Sequence, residues 1–595
     1  MTPIAVVARG AISPLGVAES ATAVGPSGAR PTTCVRDDPG FRAAGLKKPR
    51  SARALHGAPL ELDRARQLLA HAARELVETL DALVPGWRDL RLALAVGTSA
   101  GGLGSLERAL SLRARGEPIA AELARDAFYD GPLAELDAWF GAATQRVTLL
   151  GACIASTFAL GLGARWLAAD RADLVIAGGY DALTPFLASG FEALGATTGG
   201  DPAPFRSRRD GMVLGEGAAL VALMRSSEAP RALGYVLGFG ASSDAAHVTA
   251  PDPQGRGLVR AAQAALADAN TAPGDVDLVS AHATATPHND AAEARALEVL
   301  FGPSVARVPV HPFKAVIGHT LGAAGALETL AALDAMRARV LPGAAGDGAI
   351  DPAFGARLLE VNAAGPALRC LKLSAAFGGA NAALVLAPEV PRMTLPRGRA
   401  RPVRSVHETE RVTAPEPELI AARSELDEIR RSRLDRASAL AVTAVARALA
   451  AVPELDRDKT AVVIGTFAAS LEADEEFDAR RRERGASGVE PRRFPATSPN
   501  LPAGWCTIAF GLLGPSVAVG GGPGAAEQAA RVGYELVASG DAQYAIVVVC
   551  DDVGAVTRDL TARAGIACPA DGAYALVLAA GSGSGVLEPP SFALR

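Results

Sequence analysis

The sequence has no CxxC pair. Its six cysteines (Cys34, Cys153, Cys370, Cys506, Cys550, Cys568) are scattered along 595 residues, so neither a disulfide framework nor a paired-cysteine zinc knuckle is expected, and a reducing cytoplasm suits them. Surplus charge is missing too. Against 64 Asp and Glu stand 59 Lys and Arg, a formal net charge of −5, too mild for a dedicated nucleic-acid or anionic-membrane binder. No basic region precedes an apolar run in MTPIAVVARGAISPLG, which reads as a strand entering a turn rather than an export signal. Two charge-free stretches, Val147 to Ala164 and Phe494 to Ala526, reach the length of a membrane span. The first carries Gly151, Cys153, Ser156 and Thr157 at its centre, and Pro495, Pro499, Pro502, Pro515 and Pro523 break the second. Strand, turn and helix buried in an α/β core account for both, so no membrane partner is expected.

What is present is apolar and alternating. Apolar residues make up 49%, enough for a large core, and the length implies several structural units. Runs such as LALAVGT, RVTLLGAC, DLVIAGGYDAL and GEGAALVALM alternate with Ala/Leu-rich helical patterns, the signature of an α/β fold. A second set runs from ALGYVLGFGASS to LRCLKLSAAFGGANAALVLAP. The expected organisation is a first half over 1–228, a second over 229–390, a Pro/Arg-rich linker over 391–430 and a third segment over 431–595. That third segment repeats the first. SVAVGGGPGAAEQAARVGYELVASGDAQYAIVVVCDD lies over VTLLGACIASTFALGLGARWLAADRADLVIAGGYDA without a gap, which puts Pro523 at the position of Cys153.

Chemistry points to three places. Cys153, in LLGACIAST, sits where an apolar strand turns into a long helix, and free amides and the helix dipole there favour a thiolate nucleophile. His282, in SAHATATPHND, and His319, in FKAVIGHTLGAAG, lie in small-residue turns after strands, with Lys314 five residues before His319. Loops at strand ends are where α/β proteins keep their chemistry. A zinc site from one cysteine and two histidines competes, but the local ligand pairs of zinc sites are missing.

Cys153 in GACIAS, HATATPHND, FKAVIGHTLGAAGALE, RRDGMVLGEGAA and AFGGANAALVLA occur in one order and spacing. Over about residues 1–390 this set resembles the β-ketoacyl-acyl-carrier-protein synthases, condensing enzymes of the thiolase superfamily. The resemblance implies a thiolase-like fold of two related halves, with a third thiolase-like half-domain that has lost its nucleophile. It implies decarboxylative condensation of an acyl thioester with malonyl-acyl carrier protein, in fatty-acid, polyketide or aryl-polyene-like biosynthesis. Cys153 would take the acyl group, with the backbone amides of Cys153 and Phe377 as oxyanion hole. His282 and His319 would hold the malonyl thioester oxygen, supported by Lys314 and Glu293. Thr284 and Thr286 would bind the phosphopantetheine arm, and Phe377 would gate the nucleophile. No metal or other cofactor is implied, because the substrates ride on the carrier's phosphopantetheine. The implied partners are an acyl carrier protein and, in a homodimer or heterodimer, another ketosynthase-like subunit.

The sequence departs from the family in places. HATAT and PFRSRRDG are mild variants, and LSAAFGG lacks the usual Phe-Gly before Phe377. The approach to Cys153, FYDGPLAELDAWFGAATQRV, lacks the family's Pro-Asn-rich stretch, yet the third segment has one in FPATSPNLPAGWCTIAFGLLGPS. Two other readings compete: a non-catalytic subunit of chain-length-factor type, and a degradative thiolase. The intact Cys153, His282, Lys314 and His319 weigh against the first. Against the second, LKLSAAFGGANAAL offers no second cysteine. Basic clusters at Lys47, Lys48, Arg50 and Arg53, or at Arg206, Arg208 and Arg209, are candidate docking points for an acidic carrier on charge alone.

Overall fold

The computed structural model describes residues 2–54, 63–141, 143–390, 400–581 and 586–587. One five-strand pattern recurs three times among them. In the first half, Leu92–Gly97 lies between Gln145–Leu149 and Leu174–Asp181, all parallel. Gly217–Arg225 and then Ile4–Ser13 follow antiparallel. The second half repeats this order with Pro309–His311, Leu278–Ser280, Cys370–Ala375, Ala380–Ala387 and Gly234–Ser243. The third segment does so with Ser516–Gly520, Thr460–Thr466, Tyr544–Asp551, Gly572–Ala580 and Val403–Glu408. Parallel strands covered on both faces read as continuous apolar runs rather than alternating ones, and Leu174–Asp181 is buried along its whole length.

The first and third segments share a hydrogen-bond signature as well as a topology. Asp181, closing its strand, accepts from Thr98 Oγ1 (2.6 Å) and the amides of Ser99 and Ala100. Asp551 accepts from Thr466 Oγ1 (2.9 Å) and the amides of Phe467 and Ala468. Each carboxylate satisfies a buried turn that would otherwise carry unpaired donors. The repeat is thus preserved where backbone groups demand it.

The third segment begins earlier than the sequence suggests. Of the linker expected over 391–430, residues 391–399 lie outside the described residues. The remainder holds strand Val403–Glu408, paired with Gly572–Ala580, and helix Pro417–Arg423. This outer strand buries Val403 but leaves Arg404 and Glu408 in solvent, so it has no apolar run to betray it.

The two copies meet in one continuous sheet. Gln145–Leu149 ends antiparallel to Ser516–Gly520, with Val519 opposite Leu149 and the Leu150 amide donating to Ala518 O at 2.8 Å. Beside this seam the Thr148 amide donates to Gln528 Oε1 (2.8 Å), and Arg165 joins all three segments through Asp268 (2.8 Å) and Asp541 (2.5 Å). The two membrane-length stretches resolve here into strand, turn and helix. Among the described residues no helix is long and apolar enough to cross a membrane.

The helices that follow strands Gln145–Leu149 and Ser516–Gly520 differ where their neighbours differ. Ala155–Ala168 is buried throughout the part that meets the second half, with Phe158 edge-on to Phe239 (5.4 Å) and Gly161 against the Phe239 ring. At the matching positions Ala525–Ser539 has Gln528 and Arg531, the latter ion-paired with Glu527 at 2.6 Å. The third segment has accordingly become polar where a second half would have packed.

Ending the chain at residue 390 uncovers the edge of Gln145–Leu149, and bare strand edges pair with other chains. The fragment 1–390 is expected to aggregate or to self-associate. Light scattering behind size exclusion checks this, and a well-behaved monomer would contradict the seam's role.

Candidate active site

Cys153 is placed by a tight elbow. Strand Gln145–Leu149 ends, Ala152 takes φ +47°, and a short 3-10 turn Ala152–Ile154 feeds helix Ala155–Ala168. A non-glycine residue at positive φ costs of order 1–3 kcal/mol and persists where the surroundings enforce it. Gly97 enforces closeness here, because a Cβ on it would meet the Ala155 carbonyl carbon at 2.5 Å. In the third segment Pro523 stands in place of the nucleophile, in the run Gly520 to Gly524.

The second half delivers the histidines. His282 follows strand Leu278–Ser280, and its amide and that of Ala283 each donate to the Glu293 carboxylate at 2.7 Å. His319 follows Gly318 (φ +72°). Its backbone is gripped on both sides by the segment from Val213 to Gly215, with the His319 amide donating to Val213 O (2.8 Å) and the Gly215 amide to His319 O (2.9 Å). That grip explains why RRDGMVLGEGAA belongs with the site although it touches no reacting atom.

The tautomers follow from the hydrogen bonds. The Leu321 amide donates to His319 Nδ1 (3.2 Å), so the ring proton sits on Nε2, 3.0 Å from Cys153 Sγ. The Lys314 ammonium faces His282 Nδ1 at 3.4 Å, which leaves that ring's proton on Nε2 as well. The two rings stand edge to face with centroids 5.7 Å apart. Burial first, then Lys314 and Lys372, hold both imidazoles well below the usual histidine range. They are neutral N–H donors.

Behind them lies a charge cluster. Glu328 receives Lys314 Nζ at 2.6 Å and Lys372 Nζ at 2.6 Å, all three groups buried. Two cations on one carboxylate leave positive potential facing the histidines. Neither Glu328, on helix Ala324–Ala338, nor Lys372, on strand Cys370–Ala375, was singled out in the sequence. A lone charge inside an apolar pattern (GALETLAAL, CLKLSAAF) was the available signal.

One expectation is corrected. Cys153 does sit at a helix start, but burial pushes its thiol up to about 12, and Lys314 and its own backbone amide offset this only in part. The elbow alone does not yield a resting thiolate, because removing the sulfur from water outweighs the local dipoles.

Cys153, His282, His319, Thr284, Thr286 and Phe377 line one cavity of about 320 Å³. Thr284 and Thr286 bond to each other there (2.9 Å). Lys314 and Glu293 lie behind the wall, held as described. The basic clusters fare differently. Arg206 is buried on Glu360, Arg209 pairs with Asp351, Arg50 with Asp201, and Arg53 with Asp38 and Glu216. Lys48 donates to Thr197 O. Most of those charges are spent within the chain and are not free docking points. Among the described residues no group of three or more His, Cys, Asp or Glu side chains is placed to hold a metal ion.

Known proteins resemble this chain in sequence and in fold. The β-ketoacyl synthase N-terminal domain matches twice, over residues 51–229 and 394–586, and the corresponding C-terminal domain matches 233–346. The 3-oxoacyl-[acyl-carrier-protein] synthase 2 of Coxiella burnetii is 39% identical over 208 residues, 33% of this chain and 50% of that one. The tetracenomycin polyketide synthase ketoacyl synthase alpha subunit of Streptomyces glaucescens is 33% identical over 299 residues, 47% of this chain and 70% of that one. This chain therefore spans from 50% to 70% of the length of those relatives. Among solved structures, the PfaC keto synthase–chain length factor covers 98% of this chain and 79% of its own, with TM-score 0.77 and 16% identity, a likeness of fold. With two matches to the N-terminal domain, one to the C-terminal domain and thiolase-like sheets around the cysteine and histidines, the chain belongs to the β-ketoacyl synthase family.

Proposed function

We propose that this chain catalyses decarboxylative Claisen condensation, joining an acyl group held on Cys153 to a malonyl unit on an acyl carrier protein. One observation carries the reading: two neutral imidazoles, both with Nε2–H available, stand beside a half-buried cysteine that lines the cavity, His319 at 3.0 Å from its sulfur. No metal or other cofactor is called for. The six free cysteines suit a cytoplasmic setting.

In the first half-reaction the sulfur of Cys153 attacks the carrier's thioester. The acyl–sulfur bond moves to Cys153, and the departing phosphopantetheine thiolate takes the cysteine's proton. Backbone amides of Cys153 and Phe377 are the donors proposed for the oxyanion. The arm enters past Thr284 and Thr286, which line the cavity. In the second half-reaction the bond from the malonyl methylene to its carboxylate breaks, carbon dioxide leaves, and the electron pair becomes an enolate. His282 and His319 donate to the enolate oxygen. The enolate carbon then bonds to the acyl carbonyl and expels Cys153 as thiolate, leaving a β-ketoacyl group on the carrier. Protonation returns Cys153 to the thiol that its buried position favours.

The two half-reactions are separable. Loss of one preorganised donor typically costs about 2.7–4 kcal/mol, roughly a hundred- to a thousandfold, so His319→Ala should nearly abolish carbon dioxide release from malonyl carrier while Cys153 still becomes acylated. Radiolabelled carbon dioxide and intact mass on one preparation read both. Release at the unaltered rate would show the mechanism to be wrong.

The histidine shifts give a second expectation. Because both pKa values are lowered, the neutral donor form persists as pH falls through the ordinary histidine range. Decarboxylation should stay flat from about pH 8 to about pH 6. A rate that changes with a midpoint near 6.5, the ordinary value, would contradict the assigned protonation states.

A further inference from the structure

The approach segment missing before Cys153 and present before Pro523 has a structural explanation. Each copy's approach segment crosses the seam, the first half's to the other copy's elbow and the third segment's to the Phe377 loop beside the live site. Tyr129 and Asp130, in the first half's shortened approach, cover the elbow that lost its cysteine. The Asp130 amide donates to Gly521 O at 3.2 Å, and its carboxylate lies against Gly522. The third segment's approach, Phe494 to Gly504, crosses the other way and reaches the live site. Asn500, buried, donates from Nδ2 to Phe377 O at 2.7 Å. The Ser498 hydroxyl donates to Asn500 Oδ1 (2.6 Å), which turns the amide nitrogen toward Phe377. A Cβ on Gly504 would meet Gly378 Cα at 2.6 Å, and Phe494 packs edge-on against Phe191, itself 5.7 Å from the Phe377 ring.

The peptide between Phe377 and Gly378 is thereby fixed at both ends, its carbonyl by Asn500 and its N–H by Val248 O (2.7 Å). Gly378 and Gly379 sit at φ +84° and +78°, and the loop's own bonds, Gly379 amide to Ala376 O (3.1 Å) and Ala376 amide to Ala380 O (2.9 Å), leave the Phe377 carbonyl to Asn500.

We infer that the third segment serves the Cys153 site in cis, with Asn500 as the positioning residue that sets the Phe377 loop for acyl transfer. The inference rests on the condensing-enzyme reading. It accounts for the asymmetry of the repeat: the approach segment that faces a working cysteine kept its Pro-Asn-rich form, and the one that faces Pro523 did not.

The test uses the full-length chain and an acyl-phosphopantetheine thioester, with Cys153 acylation followed by mass over time. Asn500→Ala, and Asn500→Asp, which keeps the size but cannot donate, should each slow acylation at saturating thioester by about tenfold. Their melting temperatures should stay near that of the unaltered protein. Arg113→Ala removes ion pairs to Glu475 (3.5 Å) and Asp559 (3.3 Å) across the same interface, away from the loop and the seam, and should acylate at the unaltered rate, which separates positioning from loosened packing. If the unaltered protein acylates and both Asn500 variants match it within twofold, or if Arg113→Ala slows acylation as much as they do, the inference is overturned. If the unaltered protein is never acylated at Cys153, the condensing-enzyme reading itself falls, and the inference with it.

Discussion

The antiparallel seam between Gln145–Leu149 and Ser516–Gly520 is the contact on which the rest of the molecule depends. It lies immediately before the Cys153 elbow, so whatever sets the end of that strand also sets the nucleophile. A strand edge that is not paired is open to other chains. Here the pairing comes from a repeat of the same fold carried on the same chain, with the Leu150 amide and the Thr148 amide both satisfied across the boundary. Arg165, reaching Asp268 and Asp541 together, ties the seam to the second half. Removing one member of such a buried group typically costs about 3–5 kcal/mol.

The chemistry rests on a different constraint, the burial of charge. Lys314, Glu328 and Lys372 are almost wholly inside the protein, and their arrangement is tolerable because each lysine has the carboxylate. Burial first, and then the positive charge of Lys314 and Lys372, keeps both imidazoles from protonating. Desolvation within the cavity likewise keeps Cys153 a thiol at rest.

Much of the fold and the core of the site could be read from the sequence, for physical reasons that differ by element. Buried parallel strands announce themselves as apolar runs, and the gapless repeat located Pro523 opposite Cys153. The turns carrying Cys153, His282 and His319 are rich in Gly, Ala and Thr because backbones approach closely there. Strand Val403–Glu408 was illegible because its outward residues are charged. The resting state of Cys153 was misjudged because a helix start is visible in a sequence and the depth of burial is not. Arg206 and Arg209 looked like surface charge, whereas their partners Glu360 and Asp351 lie about 150 residues along the chain. Asn500 could not be placed at all, since its partner Phe377 belongs to another segment and meets it only across the assembled interface.

The central claim is that one live nucleophile, completed within a single chain, carries the acyl group. Intact-mass measurement after incubation with an acyl-carrier thioester tests it most directly. The account predicts one acyl group per 60.5 kDa chain, mapped to the peptide containing Cys153 and lost in Cys153→Ala. A chain that stays unmodified, or label that survives Cys153→Ala, would contradict it.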